Sequence, residues 1–155
     1  MTPGINLARK ASIPHTVHEY SHDASSESYG GEAAEKLGIP ENRVFKTLVV
    51  RLDSNELAVG VIPVSSMLSM KLMAKAAGAK KAKMAEQADV ERSTGYLLGG
   101  VSPLGQKKRL RTFVDSSASP HSTIYVSAGR RGLEIELSPA DLLQLVDGVL
   151  AEIGQ

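Results

Sequence analysis

The run Val44-Phe45-Lys46-Thr47-Leu48-Val49-Val50 constrains the fold more than any other stretch, because it has the length and composition of a buried strand yet carries a lysine. A lysine is almost never fully buried without a partner. Lys46 therefore either points from a sheet face into water or faces a cavity that holds something anionic.

The chain around this strand has ordinary globular composition: 155 residues, 42% hydrophobic and 23% charged, enough for one domain with a proper core over residues 1–155. It has no cysteine, which excludes disulfides, thiolate metal sites and a cysteine nucleophile supplied by the protein. No apolar run approaches the roughly 18 residues of a membrane span, and no basic-then-apolar leader opens the chain. The expectation is a cytoplasmic protein without a membrane partner.

Net charge is +1 but unevenly spread. Lys71, Lys75, Lys80, Lys81 and Lys83 follow one another without an intervening acid, and Lys107, Lys108, Arg109 and Arg111 form a second cluster. Beyond residue 132 only acids occur. This asymmetry suits either a solvated face or a surface that meets a polyanion.

Periodicity and turn residues set the expected order of elements. Thr2-Pro3 opens a helix that ends before Pro14, and residues 16–20 alternate as a strand. A helix over 28–37 stops at Gly38, and strands 44–52 and 56–62 form a hairpin around Asp53-Ser54-Asn55. Ser69 caps a helix over 70–77 closed by Gly78, then come a strand at 82–84 and a short helix at 87–92. Residues 99–105 read as a shaped, glycine-rich loop. Strands follow at 112–115, 123–127 and 133–137. A last helix is capped at Ser138, with Leu142, Leu143, Leu145, Val146, Val149 and Leu150 as its apolar stripe. The mixture without a regular βαβ rhythm predicts an α+β domain with a curled or closed sheet.

Few patterns carry chemistry outright. His18, Tyr20, His22 and Asp23 cluster, but no metal-ligand spacing recurs elsewhere, so no metal and no cofactor is expected. Neither Ser102 nor Ser127 has a nucleophile-elbow signature, and no phosphate-binding or dinucleotide fingerprint is present. The glycine-rich loop beside basic residues is compatible with binding a phosphate or carbonyl through backbone N–H groups.

Four segments together resemble the YbaK/EbsC family, in its Cys-tRNA(Pro) deacylase branch: residues 45–48 (FKTL), 92–96 (RSTGY), 99–108 (GGVSPLGQKK) and 124–135 (IYVSAGRRGLEI). The likeness runs over nearly the whole chain. It implies a fold related to the editing domain of bacterial prolyl-tRNA synthetases: a mixed, largely antiparallel sheet curled into a barrel-like core with flanking helices. It also implies hydrolysis of the ester joining cysteine to tRNA(Pro), with tRNA and prolyl-tRNA synthetase as partners and no DNA. Within the family the substrate's own thiol is thought to attack its carbonyl.

Carried over by position, the resemblance makes Lys46 the essential lysine, with Thr47 adding a hydroxyl. Gly100, Val101 and Ser102 form the loop whose N–H groups face the substrate carbonyl, and Pro103 fixes that loop's shape. Tyr20, Tyr29, Ser127, Gly129 and Glu134 fall at substrate-binding positions, Tyr29 where relatives often carry phenylalanine and Glu134 where they carry aspartate. Two readings follow. One is a deacylase, for cysteine or another small amino acid; the other is a non-catalytic module of the same fold that binds a tRNA end or small ligand.

Overall fold

Alternation in the lysine-bearing segment produces an eight-residue strand, β2 (Phe45–Leu52), whose two faces serve different cores. Preceding it are α1 (Pro3–Lys10), β1 (Thr16–Glu19) and α2 (Tyr29–Leu37). After it come β3 (Leu57–Pro63), α3 (Met70–Ala77), β4 (Ala82–Met84), α4 (Gln87–Thr94) and β5 (Arg111–Asp115). The chain closes with β6 (Ile124–Arg130), β7 (Leu133–Leu137), α5 (Pro139–Val146) and β8 (Val149–Ala151). This computed structural model describes residues 1–23 and 29–155, and side chains outside residues 24–30.

The strands form two sheets, ordered β1-β7-β6 and β4-β2-β3-β5-β8. Pairing is antiparallel except at β3–β5 and β5–β8, so the mixed, largely antiparallel α+β class matches the sequence reading. The expected barrel-like closure is looser than that. A single bridge, Val44 to Tyr125, joins the two sheets among the described residues.

On one face of the larger sheet Phe45, Val49, Val59 and Val61 pack against Ile124, Val126 and Ile135 of the smaller sheet and Leu142 of α5. On the other, Val50, Leu52, Ile62 and Phe113 meet Met73 and Ala77 of α3. The outer face of the smaller sheet is covered by α2, whose Ala33 and Ala34 join Val44 and Tyr125.

Caps behave as read. Ser69 accepts from the Leu72 N–H at 3.1 Å, and Ser138 from that of Asp141 at 3.1 Å. The last helix, however, is shorter than its apolar stripe suggested. Asp147 adopts φ 52° and ends it, and Val149 and Leu150 become β8, paired parallel to Phe113 and Val114. Buried Asp115 ties this tail down, accepting from the Ile153 and Gly154 N–H groups at 3.0 and 2.9 Å. Burial alone would raise its carboxyl; the bonds from Ser117, Ile153 and Gly154 hold it below the ordinary value.

Candidate functional site

Only the far half of the outer edge of β2 is covered. β4 pairs with residues 50–52, and the Ala85 N–H donates to the Val49 carbonyl at 3.0 Å. Upstream of that, Lys46 to Leu48 have no strand paired to them on this edge among the described residues: the one backbone bridge to the smaller sheet is made by Val44, just before β2 begins. The gap is a cavity of about 370 Å³, walled by Lys46, Thr47, Tyr20, Val101, Ser127 and Glu134.

Lys46 is half-buried and makes no hydrogen bond or ion pair among the described residues; burial pushes its ammonium below the usual lysine range. Thr47 also lines the cavity, and its Oγ1 is buried with no hydrogen-bond partner among the described residues. A buried hydroxyl left unmatched costs about 1 to 3 kcal/mol, so both groups suit an occupant that brings its own polar atoms.

Glu134 faces them from β7. Strict alternation in β7 sends Leu133 and Ile135 into the core and Glu134 outward, but α2 covers that outer face, leaving Glu134 only 7% exposed. With no cation paired to it among the described residues, burial pushes its carboxyl up to about 8, so near neutral pH it is a protonated acid that can donate as well as accept. Tyr20 lies close by. Its hydroxyl is raised first by burial and then by the proximity of Glu134.

This has a consequence for stability. Between its ordinary 4.5 and about 8, Glu134 keeps in the folded state a proton that the unfolded chain releases, so stability falls as pH rises across that window. Glu134→Gln should therefore match the parent near pH 4 and melt higher than it at pH 9, by on the order of 10 °C. Thermal unfolding at the two pH values checks this, and a difference independent of pH would contradict it.

β6 and β7 form a hairpin with an irregularity between Ser127 and Arg130. Gly129 sits there at φ 122°, where a Cβ would meet the Tyr96 ring at 2.8 Å, and its N–H donates to Ser127 Oγ at 3.2 Å. Beyond the bulge, Arg130 and Arg131 turn onto the cavity wall. Arg131 donates to His22 Nε2 at 2.7 Å, and His22 Nδ1 donates to Glu32 at 2.6 Å. Burial alone would raise the Glu32 carboxyl, but bonds from His22 and the Asp23 N–H hold it below its ordinary value. No group of three metal-ligating side chains occurs among the described residues; His18 instead pairs with Glu136 at 2.9 Å.

The loop expected to face a carbonyl is divided. Val101 lines the cavity and its N–H makes no protein hydrogen bond among the described residues. Gly100 does not line it: its N–H donates to the Leu97 carbonyl at 2.9 Å, and a Cβ there would lie 2.8 Å from the Arg130 Cα, so the glycine lets the loop press against β6. Ser102 is fully buried, its Oγ accepting from the Leu104 N–H at 3.1 Å. Pro103 lines a separate, smaller cavity with Leu7 and Leu145. The Tyr29 side chain lies outside the described residues.

The cavity wall also includes Val64, Met84, Leu98, Arg130 and Arg131, which sequence reading did not select. The paired arginines within residues 124–135 were a usable signal; the apolar residues offered none.

Comparison with solved structures supports the fold first. The fold matches the crystal structure of the hypothetical protein APE2540 (TM-score 0.88, 24% identity, 99% of each chain). It also matches that of "a putative trans-editing enzyme for prolyl tRNA synthetase" (TM-score 0.83, 19% identity, 100% of this chain and 99% of that one). The chain belongs to the aminoacyl-tRNA editing domain family, whose model matches residues 27–145. It is 40% identical over 153 residues, 98% of this chain and 92% of the relative, to the Enterococcus faecalis protein named "Putative Cys-tRNA(Pro)/Cys-tRNA(Cys) deacylase EbsC". No helix among the described residues is long and apolar enough to cross a membrane.

Proposed function

We propose that residues 1–155 act as one deacylase domain that clears cysteine mischarged onto tRNA(Pro), assisted by the substrate's own thiol and working beside prolyl-tRNA synthetase. The observation that carries this reading is Lys46: an unpaired cation on the wall of a cavity in an editing-family domain, beside an unmatched hydroxyl and a buried carboxyl. The name of the Enterococcus relative supports the substrate assignment.

Cysteine and proline are close in size, and a pocket separates apolar groups of similar volume poorly, so a second checking site has a chemical purpose. Lys46 holds a phosphate or the ribose of the terminal nucleotide as a compact cation. The Val101 N–H and Thr47 Oγ1 serve the ester, while Tyr20, Ser127 and the protonated Glu134 contact the aminoacyl group. Gly100, Ser102, Pro103 and Gly129 act by shaping the walls.

Ser127 has no histidine or carboxylate hydrogen-bonded to it among the described residues, which leaves it without an activating base. The nucleophile is then the cysteine thiol. Its sulfur bonds to the carbonyl carbon, the ester C–O bond breaks, and the thiol proton ends on the released ribose hydroxyl, giving a cyclic thiolactone. The protein's contribution is to hold sulfur and carbonyl in a reactive geometry and to stabilise developing charge.

Incubation with Cys-tRNA(Pro) and with Pro-tRNA(Pro) tests the assignment. Loss of the cysteine ester should accelerate at least 100-fold over the proline ester; equal rates, or none above background, would leave a binding module instead.

A further inference from the structure

Outside the cavity, the largest charged feature is the run of lysines on α3 and β4. Lys71, Lys75, Lys80, Lys81 and Lys83 are all exposed, and none is in an ion pair among the described residues. Lys71 and Lys75, spaced i,i+4 on one helix, repel each other mildly. Nearby carboxylates are bonded to other groups than these ammonium ends. Asp53 accepts from the backbone N–H groups of Lys80 and Lys81 at 3.2 and 3.5 Å, and Asp89 is committed to Arg51 and Arg92.

The strip is continuous with the site. β4 runs antiparallel to β2, with Ala82 opposite Leu52 and Met84 opposite Val50, so it leads from Lys80 and Lys81 toward the end of β2 that carries Lys46. Met84 itself lines the cavity, and Val50 lies about 13 Å from Lys46 along the strand. The mouth is flanked there by Met84 and Leu98, exposed by 49% and 52%, apolar surface suited to the flat face of a base. The other basic cluster is placed differently. Lys108 and Arg109 line the smaller cavity beside Leu7 and Leu145, and share no wall with Lys46.

We propose that the lysines of α3 and β4 are the track on which the acceptor arm of tRNA lies while its 3′ end enters the cavity past Met84. This rests on the editing reading of the cavity, and a continuous unpaired strip of one sign leading to its mouth is the complement of a phosphate backbone. Contacts of that kind position the RNA without reading its sequence, so they deliver any acceptor arm to the pocket and leave selection to the aminoacyl group.

Two charge-matched triple variants test the track. Equilibrium binding of uncharged tRNA is measured across a salt series for K75A/K80A/K81A and for K107A/K108A/R109A, together with hydrolysis of a cysteine ester on a CCA trinucleotide. The α3–β4 triple should weaken tRNA binding at least tenfold and flatten the slope of log K against log salt by about 2 to 3, with trinucleotide hydrolysis unchanged. The second triple should change binding less than threefold. Equal losses in both triples, or no loss in the first, would overturn the track and leave the strip to a protein partner or to solvent. Failure of the parent to hydrolyse the trinucleotide ester would instead count against the deacylase reading, with the binding comparison still deciding the track.

Discussion

Lys46→Ala should lose deacylation of Cys-tRNA(Pro) by about 100-fold or more while remaining folded, because the side chain is asked to act on the substrate and not on the protein. It makes no hydrogen bond or ion pair among the described residues, and burial already works against its charge. Removing an uncompensated, half-buried ammonium relieves desolvation and leaves β2 with its ladder to β3 intact from Phe45 to Arg51. Melting temperature should therefore stay level or rise. Lys46→Arg should rescue little, since a planar guanidinium does not reproduce a compact point charge in a cavity of this size. Single-turnover deacylation and thermal unfolding measured on the same preparations check both halves. An alanine variant within threefold of the parent rate would make Lys46 an ordinary solvated residue.

Much of this arrangement was legible before the fold, and the failures have a common physical origin. Lys46 stood out because one charged residue interrupted a strand whose other positions fit a pleated core. Glu134 was harder. Its strand alternates strictly, which reads as a solvated face, and only α2, about a hundred residues earlier in the chain, turns that face into a buried one. Val149 and Leu150 continued a helical stripe, yet the left-handed Asp147 ended the helix and a parallel pairing with β5 recruited them as a strand; such long-range pairing leaves no local mark. Within the glycine-rich loop, neighbours diverge. Val101 reaches the main cavity, Ser102 is enclosed and Pro103 lines the smaller one. Sequence marks such a loop as shaped but not which residue points where. Arg130 and Arg131 follow an irregularity that shifts the β6–β7 register by two residues, and such a shift leaves no plain mark in the sequence.

With the nucleophile supplied by the substrate, a seryl ester on tRNA(Pro) should be cleared far more slowly than a cysteinyl one. Serine differs from cysteine by one atom and should enter the same cavity, but its hydroxyl is a far weaker nucleophile near neutral pH than a thiol, a few per cent of which is thiolate. If the protein supplies position and charge stabilisation only, the serine ester has nothing suited to attack its carbonyl. Among the described residues no base is hydrogen-bonded to Ser127, and Ser102 is enclosed, so the protein offers no activated hydroxyl in their place. The decisive measurement is the deacylation rate of cysteinyl and seryl esters on the same tRNA(Pro), at saturating protein and equal pH. The cysteinyl ester should be cleared at least 100-fold faster, with thiolactone as the first product; comparable rates for the two esters would mean that the cavity activates a water molecule and that the substrate-assisted mechanism is wrong.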